Sequence, residues 1–216
     1  MRPKLLVLVT GTGTDVGKTW VAAEILRRLS ALGWTVSARK PAQSYAREDV
    51  VTDADILAAA TGETATEVCP PGRWYPVAMA PPMAAELLGL PTVLLGELER
   101  EVGSGWPLMP VDVGLIEGAG GVASPLATNG DIAELARILG TNLVIVVGQA
   151  ELGAINSLRL CHDVLSPLRV VVYLNRFDKD NELHVRVYDW LTRHDGFVVT
   201  TEVQVLVDLM VAEIAT

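Results

Sequence analysis

The residues best equipped for chemistry lie in one glycine-rich run, Gly11-Thr12-Gly13-Thr14-Asp15-Val16-Gly17-Lys18-Thr19. Glycines let a backbone turn successive N–H groups inward around phosphate oxygens, and a helix that starts at the end of such a loop adds partial positive charge. In that geometry the backbone of Gly13, Thr14, Asp15, Val16 and Gly17 wraps the phosphates of a nucleoside triphosphate. Lys18 then reaches the β- and γ-phosphates, and the Thr19 hydroxyl ligates Mg²⁺. The spacing departs from the strict G-x-x-x-x-G-K-[ST] pattern, because position 12 is Thr12 and Gly11 sits one residue early. The competing reading is a plain glycine-rich turn with a chance Gly-Lys-Thr. The order strand, loop, helix favours phosphate binding.

Three further groups bear on the same chemistry. Lys40 ends an expected strand and is followed by Pro41-Ala42-Gln43-Ser44, with Pro41 stopping the strand. A lysine at the carboxyl end of a parallel strand points into the site and could bridge a γ-phosphate and an anionic substrate; otherwise it is an ordinary surface lysine. Glu117 closes the run Val113-Gly114-Leu115-Ile116 and precedes Gly118-Ala119-Gly120-Gly121. A carboxylate there suits Mg²⁺, and the glycines permit close backbone approach to a ligand. Asp53 and Asp55 open a helical pattern, where acidic residues serve either a metal or simply the helix dipole. Gly153 and Asn156 fall at the start of another helical pattern, which on its own reads as a plain helix start.

The elements that must carry these groups alternate. Residues 5–9, 35–40, 111–116, 143–147, 170–174 and 197–201 read as strands, most of them rich in Val, Ile and Leu. Helical patterns cover 18–32, 53–60, 131–139, 154–165 and 182–193. In the first helix Val21, Ile25, Leu29 and Leu32 form the apolar stripe, and Gly33 ends it. Continuous Val/Ile/Leu strands alternating with helices predict an α/β fold, a three-layer α/β/α arrangement around a mostly parallel sheet. Such sheets bind ligands at the carboxyl ends of their strands, where these residues fall. The Pro-rich stretch 69–82 is the least regular part and reads as an excursion over the surface or over a site. No repeat or linker divides the chain, so residues 1–216 read as one domain.

With 216 residues, half of them hydrophobic, the chain can bury one sizeable core. A net charge of −9 argues against nucleic acid as a partner. No run approaches the ~20 apolar residues of a membrane span. Cys69 and Cys161 have no metal-ligand spacing and read as reduced thiols. The protein is expected to be soluble and cytoplasmic, with no membrane partner.

Taken together, G-T-x-T-x-V-G-K-T at 11–19, K-P-x-x-S at 40–44, E-G-A-G-G at 117–121 and L-G-x-I-N at 152–156 resemble the dethiobiotin synthetases, over about residues 5–176. The resemblance implies a P-loop NTPase fold, ATP as co-substrate and Mg²⁺. It implies formation of dethiobiotin from 7,8-diaminopelargonic acid and CO₂, in biotin biosynthesis, through a carbamate that ATP phosphorylates. Lys18, Lys40 and Thr14 are then catalytic, while Lys40 and Ser44 hold the carbamate and the transferred phosphoryl group. Thr19, Glu117 and Asp53, or alternatively Asp55, are the metal ligands, and Asp15 meets metal or substrate amine. Glu117, Gly118, Ala119 and Gly120 approach the nucleotide. Gly153 and Asn156 take the substrate carboxylate from a neighbouring subunit, which implies a homodimer. Asn175 meets adenine, its amide offering both donor and acceptor. Asp178 resembles the guanine-reading Asp of an N-K-x-D box, or else starts a solvated turn with Lys179 and Asp180. Tyr45 stands where the family usually has Gly. Two other readings share the P-loop class. One is an amidating synthetase of the cobyrinate type, which usually carries a glutaminase domain. The other is a nucleotide-switched ATPase like ParA or MinD, whose early loop lysine is replaced here by Gly13.

Overall fold

Leu5–Gly11 (β1) is buried at all seven positions and forms a central strand of the sheet. In this computed structural model, which describes residues 1–215, β1 is followed by the phosphate-type loop and by α1 (Lys18–Ala31). Next come β2 (Val36–Arg39), the two-residue strand β3 (Gln43–Ser44), α2 (Asp53–Thr61), α3 (Ala65–Val68), β4 (Trp74–Tyr75), α4 (Pro81–Leu87) and α5 (Leu95–Gly105). The second half holds β5 (Val113–Glu117), the hairpin β6 (Pro125–Ala127) and β7 (Gly130–Asp131), α6 (Ile132–Leu139), β8 (Leu143–Gln149) and α7 (Ala154–Leu165). The last elements are β9 (Val170–Asn175), α8 (Glu182–Arg193), β10 (Val199–Thr200) and α9 (Val203–Ile214).

Six strands form one parallel sheet in the order β10-β9-β8-β1-β5-β2. Alternation along the strands sends side chains to two separate cores. Leu6, Leu8, Ile116, Val144 and Val146 pack against helices α4 to α8. Leu5, Val7, Val9, Leu115 and Ile145 pack against α1, α2, α3 and α9. The fold is therefore the three-layer α/β/α arrangement, and burial on both faces explains why the strands read as unbroken apolar runs. Chain direction diverges from β1, with β5 and β2 on one side and β8, β9 and β10 on the other. Ligands collect at such a crevice, outside the carboxyl ends of the strands.

Several element limits differ from expectation. Val21, Ile25 and Leu29 are fully buried, but Leu32 is 59% exposed, because it caps α1 beyond the last turn. The strand expected over 35–40 is Val36–Arg39; the Lys40 amide leaves the sheet to donate to Val68 O at 2.8 Å. The strand expected over 111–116 is Val113–Glu117, so Glu117 belongs to it and pairs with Val9. The strand expected over 197–201 is only Val199–Thr200. The Pro-rich stretch is partly ordered: Trp74–Tyr75 is β4, and Pro81 and Pro82 open α4, where a missing N–H costs nothing. Helices α5 and α9 add to the elements expected from sequence. Both cysteines are free and buried, and burial pushes the Cys69 thiol up to about 12.

Candidate functional site

The loop after β1 turns on two left-handed residues, Asp15 (φ 57) and Gly17 (φ 98). Gly17 is required twice over. Its φ disfavours any L side chain, and a Cβ there would lie 2.1 Å from Asn175 Nδ2. Asn175, buried at the end of β9, donates from that nitrogen to Val16 O at 2.9 Å. The amide expected to face a base therefore commits one of its two N–H donors to clamping the loop. Lys18 is the first residue of α1, and its ammonium donates to Gly13 O at 2.6 Å. Burial pulls Lys18 below the ordinary lysine range, and the charge of Lys40 adds to that.

Four side chains from four elements meet beside this loop. Lys40 Nζ, just past β2, donates to Asp53 Oδ2 at 2.6 Å and to Glu117 Oε1 at 2.7 Å. The Thr19 hydroxyl lies 2.8 Å from Asp53 Oδ1 and 2.9 Å from Glu117 Oε1, able to donate to either. Burial alone would push Lys40 down, but Glu117 and Asp53 reverse this and hold it above the usual lysine range. Burial pushes the Glu117 carboxyl up, with Lys40 pulling against it. Asp53 ends below the usual carboxylate range, because Lys40 and Thr19 outweigh its burial.

Asp53 and Asp55, equivalent in sequence, part company here. Asp55 closes a capping box: its Oδ2 accepts from Thr52 N at 2.8 Å and from Thr52 Oγ1 at 2.7 Å. That carboxylate is occupied in starting α2. Asp53, two residues earlier, faces Thr19 and Lys40. A hydroxyl and two carboxylates are the hard oxygen donors that suit Mg²⁺. Glu117 Oε2 is buried with no hydrogen-bond partner among the described residues, as a ligand oxygen would be. These residues fit the ion. Among the described residues no group of three or more His, Cys, Asp or Glu side chains converges. An ion here would therefore keep water or phosphate oxygens in its remaining positions, the usual habit of Mg²⁺.

The four groups line a cavity of about 940 Å³ together with Thr14, Asp15, Gly17, Lys18, Ser44, Ala119 and Gly120. That volume suits a nucleotide and a small substrate side by side. The cavity also takes in Tyr45, which stands where the family usually has Gly, and Met79 of the Pro-rich stretch, together with Gln43, Ser124 and Arg176, to which sequence reasoning gave no role. Arg176 is in the left-handed region (φ 53), and Ser124 Oγ accepts from Gly121 N at 2.9 Å. Gly118 lies behind the wall and presents its carbonyl to Lys40 Nζ at 3.3 Å. The 69–82 excursion does cover the site, through Ala78, Met79, Ala80 and Pro81. Gly153, the left-handed N-cap of α7, and Asn156 are exposed and do not line this cavity. Asp178 is exposed as well, and its Oδ1 accepts from Asp180 N at 2.9 Å, as in a local turn.

Comparison with known proteins agrees with this geometry. Residues 6–174 match the family described as AAA domain. The chain is 35% identical over 150 residues to the ATP-dependent dethiobiotin synthetase BioD of Aquifex aeolicus, covering 69% of this chain and 65% of that protein. It is 39% identical over 165 residues to the protein of the same name from Caulobacter vibrioides, covering 74% of this chain and 73% of the relative. The chain thus spans just under two thirds of the Aquifex protein's length. A plasmid partition protein from Borrelia burgdorferi superposes with a TM-score of 0.52 at 13% identity, over 99% of this chain and 97% of its own, a likeness of fold alone.

Proposed function

The chain belongs to the dethiobiotin synthetase family, and from that premise we propose that it uses ATP and Mg²⁺ to make dethiobiotin from 7,8-diaminopelargonic acid and CO₂. The observation that carries this reading is the convergence of Lys40, Thr19, Asp53 and Glu117 beside a phosphate loop. One substrate amine takes up CO₂ as a carbamate and loses a proton. A carbamate oxygen then attacks the γ-phosphorus, ADP leaves, and the second amine closes the ring by attacking the carbonyl carbon and expelling phosphate. No covalent bond to the protein is needed, so the chain's contribution is positioning and charge.

Each residue has a part in this reading. The backbone of Gly13 to Gly17 cradles the phosphates, with Thr14 at the reacting end, and Lys18 exchanges the Gly13 carbonyl for phosphate oxygens. Lys40 and Ser44 hold the carbamate and receive charge from the transferred phosphoryl group. Thr19, Asp53 and Glu117 would hold Mg²⁺, which when bound neutralises charge on the phosphate oxygens. Asp15 faces the substrate amine, and Ala119 and Gly120 bring backbone close to the nucleotide. Asn175 acts through the loop, by tying Val16 in place.

The substrate carboxylate goes to the N-terminus of α7, at Gly153 and Asn156. Both lie outside the cavity within one chain, and Leu152 beside them is 92% exposed. This supports a homodimer in which α7 of one subunit completes the site of the other. Residues 1–216 act as one P-loop domain, and the two buried free thiols suit a reducing cytoplasm. Among the described residues no helix is long and apolar enough to cross a membrane.

Purified protein should release phosphate and form dethiobiotin only when ATP, Mg²⁺, bicarbonate and 7,8-diaminopelargonate are all present. Phosphate release that ignores the diamine would point instead to a nucleotide switch, and dependence on an amide donor to an amidating synthetase.

A further inference from the structure

Gln43 follows Lys40 by three residues and is 2% exposed. Its Oε1 accepts from Ala54 N at 3.0 Å, one of the free N–H groups in the first turn of α2. Only a donor stands there, so the orientation of the amide is fixed. Its Nε2 is buried with no partner among the described residues, and Gln43 is one of the residues that line the cavity. The backbone is held too, since Gln43 and Ser44 form β3 and pair with Trp74 and Tyr75. Ser44 Oγ, on the next residue, is likewise buried without a partner among the described residues. A buried donor left unmade is costly, and native proteins rarely carry one without a use.

From this geometry we propose that Gln43 is a substrate-binding residue whose Nε2 donates a hydrogen bond to an anionic oxygen of the carbamate held by Lys40. The inference rests on the ring-closing reading above. An ammonium from Lys40, an amide N–H from Gln43 and a hydroxyl from Ser44 then make a cradle for a group that presents only acceptors. Gln43 comes from the segment after Lys40, separate from the phosphate loop, and this assigns it to the carbamate in preference to the triphosphate. The donor is preorganised, because the same amide is anchored at its other end to α2, the helix that carries Asp53. It selects for the N-carboxylated amine over the free amine, whose nitrogen presents no anionic oxygen at this end of the substrate.

Gln43→Glu separates the two ends of the side chain. A carboxylate still accepts from Ala54 N and is favoured at a helix N-terminus, so fold and melting temperature should hold. The donor is gone, and a negative charge faces the carbamate. We expect kcat/KM for 7,8-diaminopelargonate to fall about 100-fold or more, the scale of losing one preorganised donor, with KM for ATP within about twofold. Gln43→Met, which removes the donor without adding charge, should lose about tenfold or more. The inference is overturned if Gln43→Glu keeps the diamine kcat/KM within about threefold of wild type, which would mean that water satisfies Nε2. It is also overturned if ATP affinity falls in parallel, which would make Gln43 a part of the nucleotide site or of the fold. Wild-type turnover separates the two levels: no dethiobiotin from wild type removes the ring-closing reading and this inference with it, whereas active wild type with an unimpaired Gln43→Glu removes only the latter.

Discussion

Replacing Lys40 by Met should destabilise the ligand-free protein, and the size of the effect follows from burial. Lys40 is 2% exposed and Glu117 is fully buried, with Nζ 2.7 Å from Oε1. Removing the ammonium leaves a carboxylate inside the protein with no countercharge. Breaking a buried pair in this way costs about 3–5 kcal/mol. The second partner, Asp53, is 39% exposed and adds little, because solvent screens it. At about 2–4 °C per kcal/mol for a domain of this size, the melting temperature should drop by roughly 6–20 °C near pH 8. The sign of the pH dependence also follows. Burial raises the Glu117 carboxyl above its ordinary range, so its stabilising effect is present in acid and lost as pH rises through the folded pKa. Without Lys40 to pull it down, that pKa rises further. The gap between wild type and Lys40→Met should therefore narrow towards pH 5 and widen towards pH 8. Thermal unfolding followed by circular dichroism across that range is the assay, with Lys40→Met/Glu117→Gln as the control expected to regain most of the loss. A variant melting within about 2 °C of wild type at pH 8, or a double variant no better than the single, would refute the buried-pair reasoning.

Other expectations can be checked by kinetics. Lys18→Ala should lower turnover at least ~100-fold with the fold retained, the order for removing one preorganised electrostatic group; wild-type-like turnover would remove the phosphate-loop reading. If α7 of a second subunit completes the site, specific activity should fall on dilution as sedimentation reports dissociation, and a fully active monomer would exclude the homodimer. Because Asn175 commits one amide N–H and its orientation to Val16 O, base discrimination should be weak, with ATP preferred over other triphosphates by less than ~100-fold in kcat/KM; a larger measured preference would mean that the base is read by the remaining Asn175 N–H or by another group.

Much of this site was legible in the sequence because its chemistry sits where parallel strands end. Lys40 and Glu117 each close an expected strand, and Lys18 and Thr19 open a helix after a glycine-rich turn; such positions are visible without knowing the neighbours. What was hidden depends on neighbours distant in sequence. Asp53 is marked out by Thr19 and Lys40, remote in sequence, while Asp55 is consumed by the local capping box of Thr52. The clamp of Asn175 on Val16 joins residues 159 apart. Gln43 looks like any polar loop residue until α2 folds over it. Helix α5 did leave a signal, with Leu95, Leu98 and Val102 on one face and Glu97, Glu99 and Glu101 interleaved. Helix α9 is rich in valine and leucine, and its apolar residues do not reduce to a narrow stripe.

The Lys40–Glu117 contact, between residues 77 apart in sequence, has its origin in sheet register. β5 pairs with β1 on one side, Val9 opposite Glu117, and with β2 on the other, Arg39 opposite Ile116. Lys40, one residue beyond Arg39, is therefore level with Glu117, and Thr10 is one residue beyond the same level on β1. Neighbouring strands stand about 4.8 Å apart, and side chains at one level of a parallel sheet share a face. A lysine just past the end of β2 and a carboxylate level with it on β5 are thereby brought within reach of each other. The loops after β1 and β2 decide what approaches that pair: one carries the phosphate cradle, and the other carries Gln43 and Ser44. A slip of one residue between β2 and β5 would turn Lys40 to the opposite face and abolish the site while leaving most of the core composition intact. The apolar residues of β5 thus act on the chemistry indirectly. Leu115 and Ile116 pack into opposite cores, and that two-sided burial fixes the register on which the spacing of Lys40 and Glu117 depends.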